Sequence, residues 1–121
     1  MKRALVVDDS SFIRKIARQI LESMDFEVEE ARDGAQALSH CDQSLPDLIL
    51  LDWNMPVMSG LEFLTRLRKM PGGEEPRVVF CTTENTKERI ICALEAGATE
   101  YIMKPFDQEI IRAKLEQIGL V

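Results

Sequence analysis

The residues best equipped for chemistry in this 121-residue chain stand where apolar runs stop. Leu48-Ile49-Leu50-Leu51 ends in Asp52. Ala4-Leu5-Val6-Val7 ends in Asp8-Asp9, a run from Arg77 ends in Thr82-Thr83, and Glu100-Tyr101-Ile102-Met103 ends in Lys104-Pro105. Three carboxylates brought together repel one another and raise one another's pKa unless a cation intervenes. Mg2+ suits such a set, because it is held by one or two carboxylates and keeps coordination positions for water and phosphate oxygens. A carboxylate can also attack phosphorus and form an aspartyl phosphate, a reaction that needs positioning and charge neutralisation above all. The roles divide accordingly: Asp52 as nucleophile, Asp8 and Asp9 as cation ligands, Lys104 as the charge that pairs with phosphate, and Thr82 as hydroxyl donor. Each has a plainer reading alone: helix-initiating acids at Asp8-Asp9, a capping or turn aspartate at Asp52, a turn former at Thr82, an exposed charge at Lys104. Their coincidence at four strand ends is what favours the chemical reading.

The elements that must position them follow from hydrophobic patterning. Apolar runs without alternation fit strands of a parallel sheet covered on both faces, and Pro56 cannot continue a central ladder. Strands are expected at Arg3–Val7, Phe26–Ala31 as an edge, Leu48–Leu51, Arg77–Thr82 and Glu100–Met103. Between them run helical patterns. Ser10 is a good N-cap, and Phe12, Ile13, Ile16, Ala17, Ile20, Leu21 and Met24 form the first stripe. The second pattern carries Ala35, Ala37, Leu38 and Cys41 after Asp33-Gly34. The third carries Leu61, Phe63, Leu64, Leu67 and Met70 and stops at Pro71-Gly72-Gly73, in a loop read as flexible. The fourth carries Ile90, Ile91, Leu94 and Ala98, and the last Ile110, Ile111, Leu115 and Ile118. Strands alternating with helices imply a doubly wound parallel α/β sheet, and the flavodoxin-like order 2-1-3-4-5 brings the chemically equipped strand ends to one edge.

Composition bounds the rest. The length suits one domain spanning residues 1–121. An apolar share of 45% and a charged share of 30% are ordinary for a soluble globular protein, and no segment approaches a membrane span. Met1-Lys2-Arg3 precedes too short an apolar run for a secretory signal, so a cytoplasmic location is expected. A net charge of −6 disfavours nonspecific attachment to nucleic acid or anionic membrane. Cys41, Cys81 and Cys92 lack metal-ligand spacing and are expected to be reduced and mostly buried. His40 is read as an ordinary surface imidazole.

Asp8-Asp9, Asp52, Thr82 and Lys104-Pro105-Phe106 fall in the order of the receiver domain of two-component response regulators, which the whole chain resembles. Asp52-Trp53-Asn54-Met55-Pro56, Gly60, Ala96-Gly97-Ala98 and Tyr101 look especially like the chemotaxis regulators of the CheY type. The resemblance implies a CheY-like fold and a single receiver domain without an output domain. It implies phosphoryl transfer from a histidine kinase to Asp52, with Mg2+ held by Asp8 or Asp9, by Asp52 and by the backbone carbonyl of Asn54. It also implies self-catalysed dephosphorylation, a Thr82–Tyr101 switch, a cis peptide before Pro105, and tuning of phosphate loss by Asn54 and Glu84. The output surface is expected on the fourth helix, fifth strand and fifth helix, with Ile90 and Tyr101 as contacts. Partners would be the kinase and a target such as a flagellar motor switch or a phosphotransferase, the protein itself being a monomer. Trp53 is expected to be a partly exposed aromatic near the site.

Three rivals are weaker. A phosphohydrolase of the haloacid dehalogenase kind resembles a pattern with an Asp-x-Asp nucleophile after the first strand, which this chain lacks. A nucleotide or flavin module needs a Gly-rich loop after that strand. An adaptor that is never phosphorylated has no need of the complete acidic set. A receiver acting outside chemotaxis, as a phosphotransfer intermediate or a kinase regulator, stays open beside the chemotaxis reading.

Overall fold

The computed structural model describes residues 1–83 and 86–121. Five strands, β1 (Arg3–Val7), β2 (Glu27–Ala31), β3 (Leu48–Leu51), β4 (Arg77–Thr82) and β5 (Glu100–Met103), alternate with five helices. The helices are α1 (Ser11–Glu22), α2 (Gly34–Gln43), α3 (Gly60–Lys69), α4 (Lys87–Glu95) and α5 (Gln108–Gln117). The strands form one parallel sheet in the order β2-β1-β3-β4-β5. That is the expected topology, and β2 is the expected edge.

The two-sided burial of the sheet explains the unbroken apolar runs. Leu48 and Leu50 of β3 join Ala4, Val6, Val79, Cys81 and Ile102 against α1 and α5. Ile49 and Leu51 join Leu5, Val7, Val78 and Phe80 against α2, α3 and α4. Since successive side chains point to opposite faces, a strand covered on both must be apolar at every position.

Each helix begins immediately after a capping side chain. The oxygens of Ser10, Asp33, Ser59, Thr86 and Asp107 accept from the backbone N–H three residues on, at Ile13, Gln36, Glu62, Arg89 and Ile110. Each cap contributes about 1 kcal/mol to its helix. These caps fix where the chain turns from strand to helix, and so where the strand-end loops lie.

Three helical faces differ from the patterning. Phe12 is 69% exposed, while the next residue, the half-buried Ile13, is the one that turns towards the sheet and lines a void with Val6, Leu50 and Cys81. In α4 the buried face runs through Arg89, which lies over Trp53, then Ala93 and the half-buried Ala96, a spacing of four and three. Ile91 and Leu94 are consequently exposed, and Ile90 is half-buried. In α5, Ile111 and Leu115 face the sheet while Ile110 is exposed. Cys92 is exposed, unlike the buried Cys41 and Cys81.

The loop from Pro71 to Pro76 is tied down rather than loose. The Arg68 guanidinium donates to the carbonyls of Gly73 and Pro76 at 2.8 Å each, and to the Gly97 carbonyl at 3.0 and 2.7 Å. Gly73 is required there, since a Cβ would lie 1.8 Å from the Leu67 carbonyl oxygen. One arginine thus joins the end of α3, the following loop and the turn after α4.

Candidate functional site

The sheet register delivers the strand ends as the topology demands. Asp52 N–H donates to the Val7 carbonyl at 2.9 Å, Asp8 N–H to the Ala31 carbonyl at 3.1 Å, and Lys104 N–H to the Thr82 carbonyl at 2.8 Å. The residues that carry chemistry therefore leave the sheet from backbone that is still hydrogen-bonded to it. One carboxylate oxygen from each of Asp8, Asp9 and Asp52 lies within 4.8 Å of the others. Lys104 Nζ is 2.6 Å from Asp8 Oδ2 and 3.5 Å from Asp52 Oδ1. Thr82 is buried at the end of β4.

Asp8 is nearly enclosed and fully engaged: Oδ1 accepts from Ser10 N–H at 2.9 Å and Oδ2 from Lys104. Asp9 is exposed and completes the acidic rim. Asp52 Oδ1 accepts from Trp53 N–H at 2.9 Å. Burial first, and the neighbouring Asp8 charge second, push the Asp52 carboxyl up to about 6, although Lys104 and the Trp53 N–H pull the other way. Burial would lower the Lys104 ammonium, but the bond to Asp8 and the charges of Asp52 and Asp8 raise it on balance, so it stays a cation. The same burial pushes the Cys81 thiol, on the floor of the site, up to about 12, which makes it inert as a nucleophile. Three carboxylates against one ammonium leave the cluster short of positive charge, and oxygen donors at this spacing fit a hard divalent cation.

The floor of the site is tightly filled. A void of about 10 Å³ lies beneath it, lined by Ile13, Ala17, Cys81 and Phe106 among others. That is room for about one water and not for an organic substrate. Opposite the carboxylates, α3 begins against the backbone of Asp52: Gly60 N–H donates to the Trp53 carbonyl at 2.9 Å, and a Cβ on Gly60 would meet the Asp52 carbonyl oxygen at 2.1 Å.

Trp53 is buried, with 8% exposed, and not the partly exposed aromatic the sequence suggested. Its ring packs on Phe80 with centroids 5.0 Å apart, and the Arg89 guanidinium covers it at 4.6 Å from the centroid. A long side chain from α4 closes over it, which no spacing within the β3–α3 loop could reveal. Tyr101 is half-buried against the α2–α3–α4 side of the sheet with its hydroxyl inward. Asn54 is exposed on the loop after Asp52. The Lys104–Pro105 peptide is cis, as the resemblance implied. The tuning position expected at Glu84 lies outside the described residues. Arg14, which lies outside the apolar stripe of the first helix, reaches the site loop and donates to the Asp8 carbonyl at 2.7 Å. Its six-residue separation from Asp8 gave no signal.

The doubly wound sheet, with aspartates and a lysine gathered at its carboxyl edge, is a flavodoxin-like α/β fold. The family model described as the response regulator receiver domain matches residues 4–116. The chain belongs to that family. It is similar to chemotaxis protein CheY1 of Helicobacter pylori, at 38% identity over 96% of this chain and 95% of the relative. Similarity to the CheY homolog of Campylobacter jejuni is 37% over 96% and 91%. Among solved structures, the chemotaxis response regulator CheY4 of Vibrio cholerae superposes with a TM-score of 0.92 at 35% identity, covering 98% of both chains. No helix among the described residues is long and apolar enough to cross a membrane.

Proposed function

We propose that residues 1–121 form a receiver domain that accepts a phosphoryl group on Asp52 from the phosphohistidine of a histidine kinase and thereby changes its affinity for a target protein. The observation that carries this reading is the gathering of Asp8, Asp9 and Asp52 within 4.8 Å with Lys104 against two of them. In the forward step an Asp52 carboxylate oxygen attacks phosphorus, the P–N bond breaks, and the imidazole leaves with the electron pair and a proton from solvent. A carboxyl titrating at about 6 is about nine-tenths ionised at neutral pH, so the nucleophile is available. Asp8, Asp9, Asp52 and the Asn54 carbonyl would hold Mg2+, which supplies neutralisation of the charge on phosphorus's equatorial oxygens. Lys104, released from Asp8, pairs with a phosphoryl oxygen, and the Thr82 hydroxyl donates to another. In the dephosphorylation step water attacks phosphorus, the P–O bond to Asp52 breaks with the carboxylate as leaving group, and phosphate departs, with Asn54 and Glu84 tuning how fast it is lost.

The relatives named for chemotaxis favour a chemotactic, cytoplasmic role, with a flagellar motor switch or a phosphotransferase as target. Output through α4, β5 and α5 is supported by the pairing of β4 with β5, which sets Tyr101 opposite Phe80 and two positions from Thr82, and by the half-buried Ile90. The protein would act as a monomeric switch rather than an enzyme, since the site turns over only its own phosphoryl group. Intact mass after incubation with phosphoramidate tests this: a phosphoryl adduct that forms with Mg2+ and not with a chelator supports it, and no adduct in either condition overturns it.

A further inference from the structure

Beyond the site residues lies a second arrangement that ends on them. Arg14, in the second turn of α1, donates through Nη1 to the Asp8 carbonyl oxygen at 2.7 Å and through Nε to Glu30 Oε1 at 3.0 Å. The other Glu30 oxygen accepts from Arg18 Nε at 2.7 Å, and Arg18 also pairs with Glu22 at 3.3 Å. Burial would raise the Glu30 carboxyl, but bonds from Arg18 and Arg14 hold it below the usual carboxylate range, so it stays charged between them. Glu30 is fixed in turn by the sheet, being paired with Val6 of β1, next to Ala31 whose carbonyl receives the Asp8 N–H.

We propose that Arg14, braced by Glu30, is a positioning residue for the cation site: it sets the plane of the Asp8–Asp9 peptide and thereby aims the Asp9 carboxylate. The inference rests on the cation reading of the acidic cluster. Asp8 has other supports, since Ser10 N–H and Lys104 hold both of its carboxylate oxygens. Asp9 is the exposed member of the cluster, and its backbone nitrogen belongs to the Asp8–Asp9 peptide. That peptide is gripped on its carbonyl side by a side chain that is only 17% exposed. A guanidinium suits the task because its planar fork can engage a carbonyl and a carboxylate at fixed mutual geometry, which an ammonium cannot.

The test exploits a conflict of sign. Arg14→Gln removes a positive charge near a cation site, so electrostatics alone makes Mg2+ bind more tightly, whereas loss of positioning makes it bind more weakly. Mg2+ alone is titrated into the full chain, read by calorimetry and by Trp53 fluorescence. About tenfold weaker binding is expected for Arg14→Gln, at the low end of what outer-shell partners of metal ligands contribute. Arg14→Lys should recover part of it. Lys15→Gln, which removes a positive charge from the next, exposed position of α1 and leaves the Arg14–Glu30 pair in place, should bind as the wild type does or more tightly. Asp52 phosphorylation by phosphoramidate should be slowed in Arg14→Gln at limiting Mg2+ and restored at saturating Mg2+, a split that a general loss of folding does not give. The Asp9 and Ser10 amide resonances of the cation-free variant should shift, with the far-ultraviolet dichroism unchanged. Unchanged or tighter Mg2+ binding in Arg14→Gln, with the wild type binding normally, overturns the positioning role and leaves the cation reading standing. A wild type that binds no Mg2+ overturns the cation reading and this inference with it.

Discussion

Replacing Asp52, the proposed phosphoacceptor, should make the resting protein more stable. Asp52 titrates at about 6 in the folded chain, because it is buried beside Asp8, against about 3.9 for an aspartate in an unfolded one. A folded pKa above the unfolded value means that the native state binds more protons between those limits, so stability falls as pH rises through that window. Above pH 6 the ionised Asp52 is a charge that the fold tolerates at a loss. At full weight the difference corresponds to nearly 3 kcal/mol, from about 1.4 kcal/mol per pKa unit. The side chain retains 12% exposure and opens beside the solvent-facing Asp9, so screening reduces this to about 1–2 kcal/mol. Asp52→Asn should therefore gain about 1–2 kcal/mol at pH 7 without Mg2+, or about 4 °C in Tm for each kcal/mol. Lys104 is not orphaned by the change, because its nearer partner at 2.6 Å is Asp8. Urea unfolding of both proteins from pH 4 to pH 8, in chelator, measures the difference directly. It should be close to zero near pH 4 and reach its plateau above pH 6. An Asp52→Asn protein no more stable than the wild type at pH 7, or a difference that ignores pH, would refute the reasoning.

Other perturbations follow from the same geometry. Gly60→Ala should destabilise the fold and slow Asp52 phosphorylation together, since the added Cβ would meet the Asp52 carbonyl oxygen at 2.1 Å and force the nucleophile's backbone to move; thermal unfolding and a phosphorylation time course check both. Val57→Asn should add about 1 kcal/mol, because a β-branched residue at φ 68° is strained, its side chain is 83% exposed, and asparagine accepts that conformation readily; the urea midpoint gives the answer. Arg68→Ala should lose about 2–3 kcal/mol by leaving the carbonyls of Gly73, Pro76 and Gly97 without their shared donor, and protease digestion should then cut first in the Pro71–Pro76 loop.

The fold and most of the site were legible because parallel strands announce themselves twice, by an unbroken apolar run and by a polar residue that halts it. Asp8, Asp9, Asp52, Thr82 and Lys104 each mark such a halt, and the strand order alone then gathers them. Side chains that reach between elements gave no such signal. Arg14 and Arg68 carried no sequence signal of their reach, yet one grips the Asp8 carbonyl and the other binds three carbonyls from two separate turns. Trp53, beside Asp52, read as partly exposed, but Arg89 descends from α4 to cover it. The α4 stripe was misphased for a related reason: periodicity ranks Ile91 and Leu94 above Ala93, whereas close approach of the helix to the sheet favours the smaller residue, which is fully buried.

The central claim is that one carboxylate, Asp52, takes the phosphoryl group. Acyl phosphates are reduced by borohydride, which would convert a phosphorylated aspartate to homoserine, so reduction after phosphorylation followed by peptide mass mapping locates the acceptor. The predicted result is homoserine at position 52 alone, in the Mg2+-treated wild type. Modification at Asp8 or Asp9, or a wild type that yields no homoserine while its Mg2+ is bound, would contradict the account.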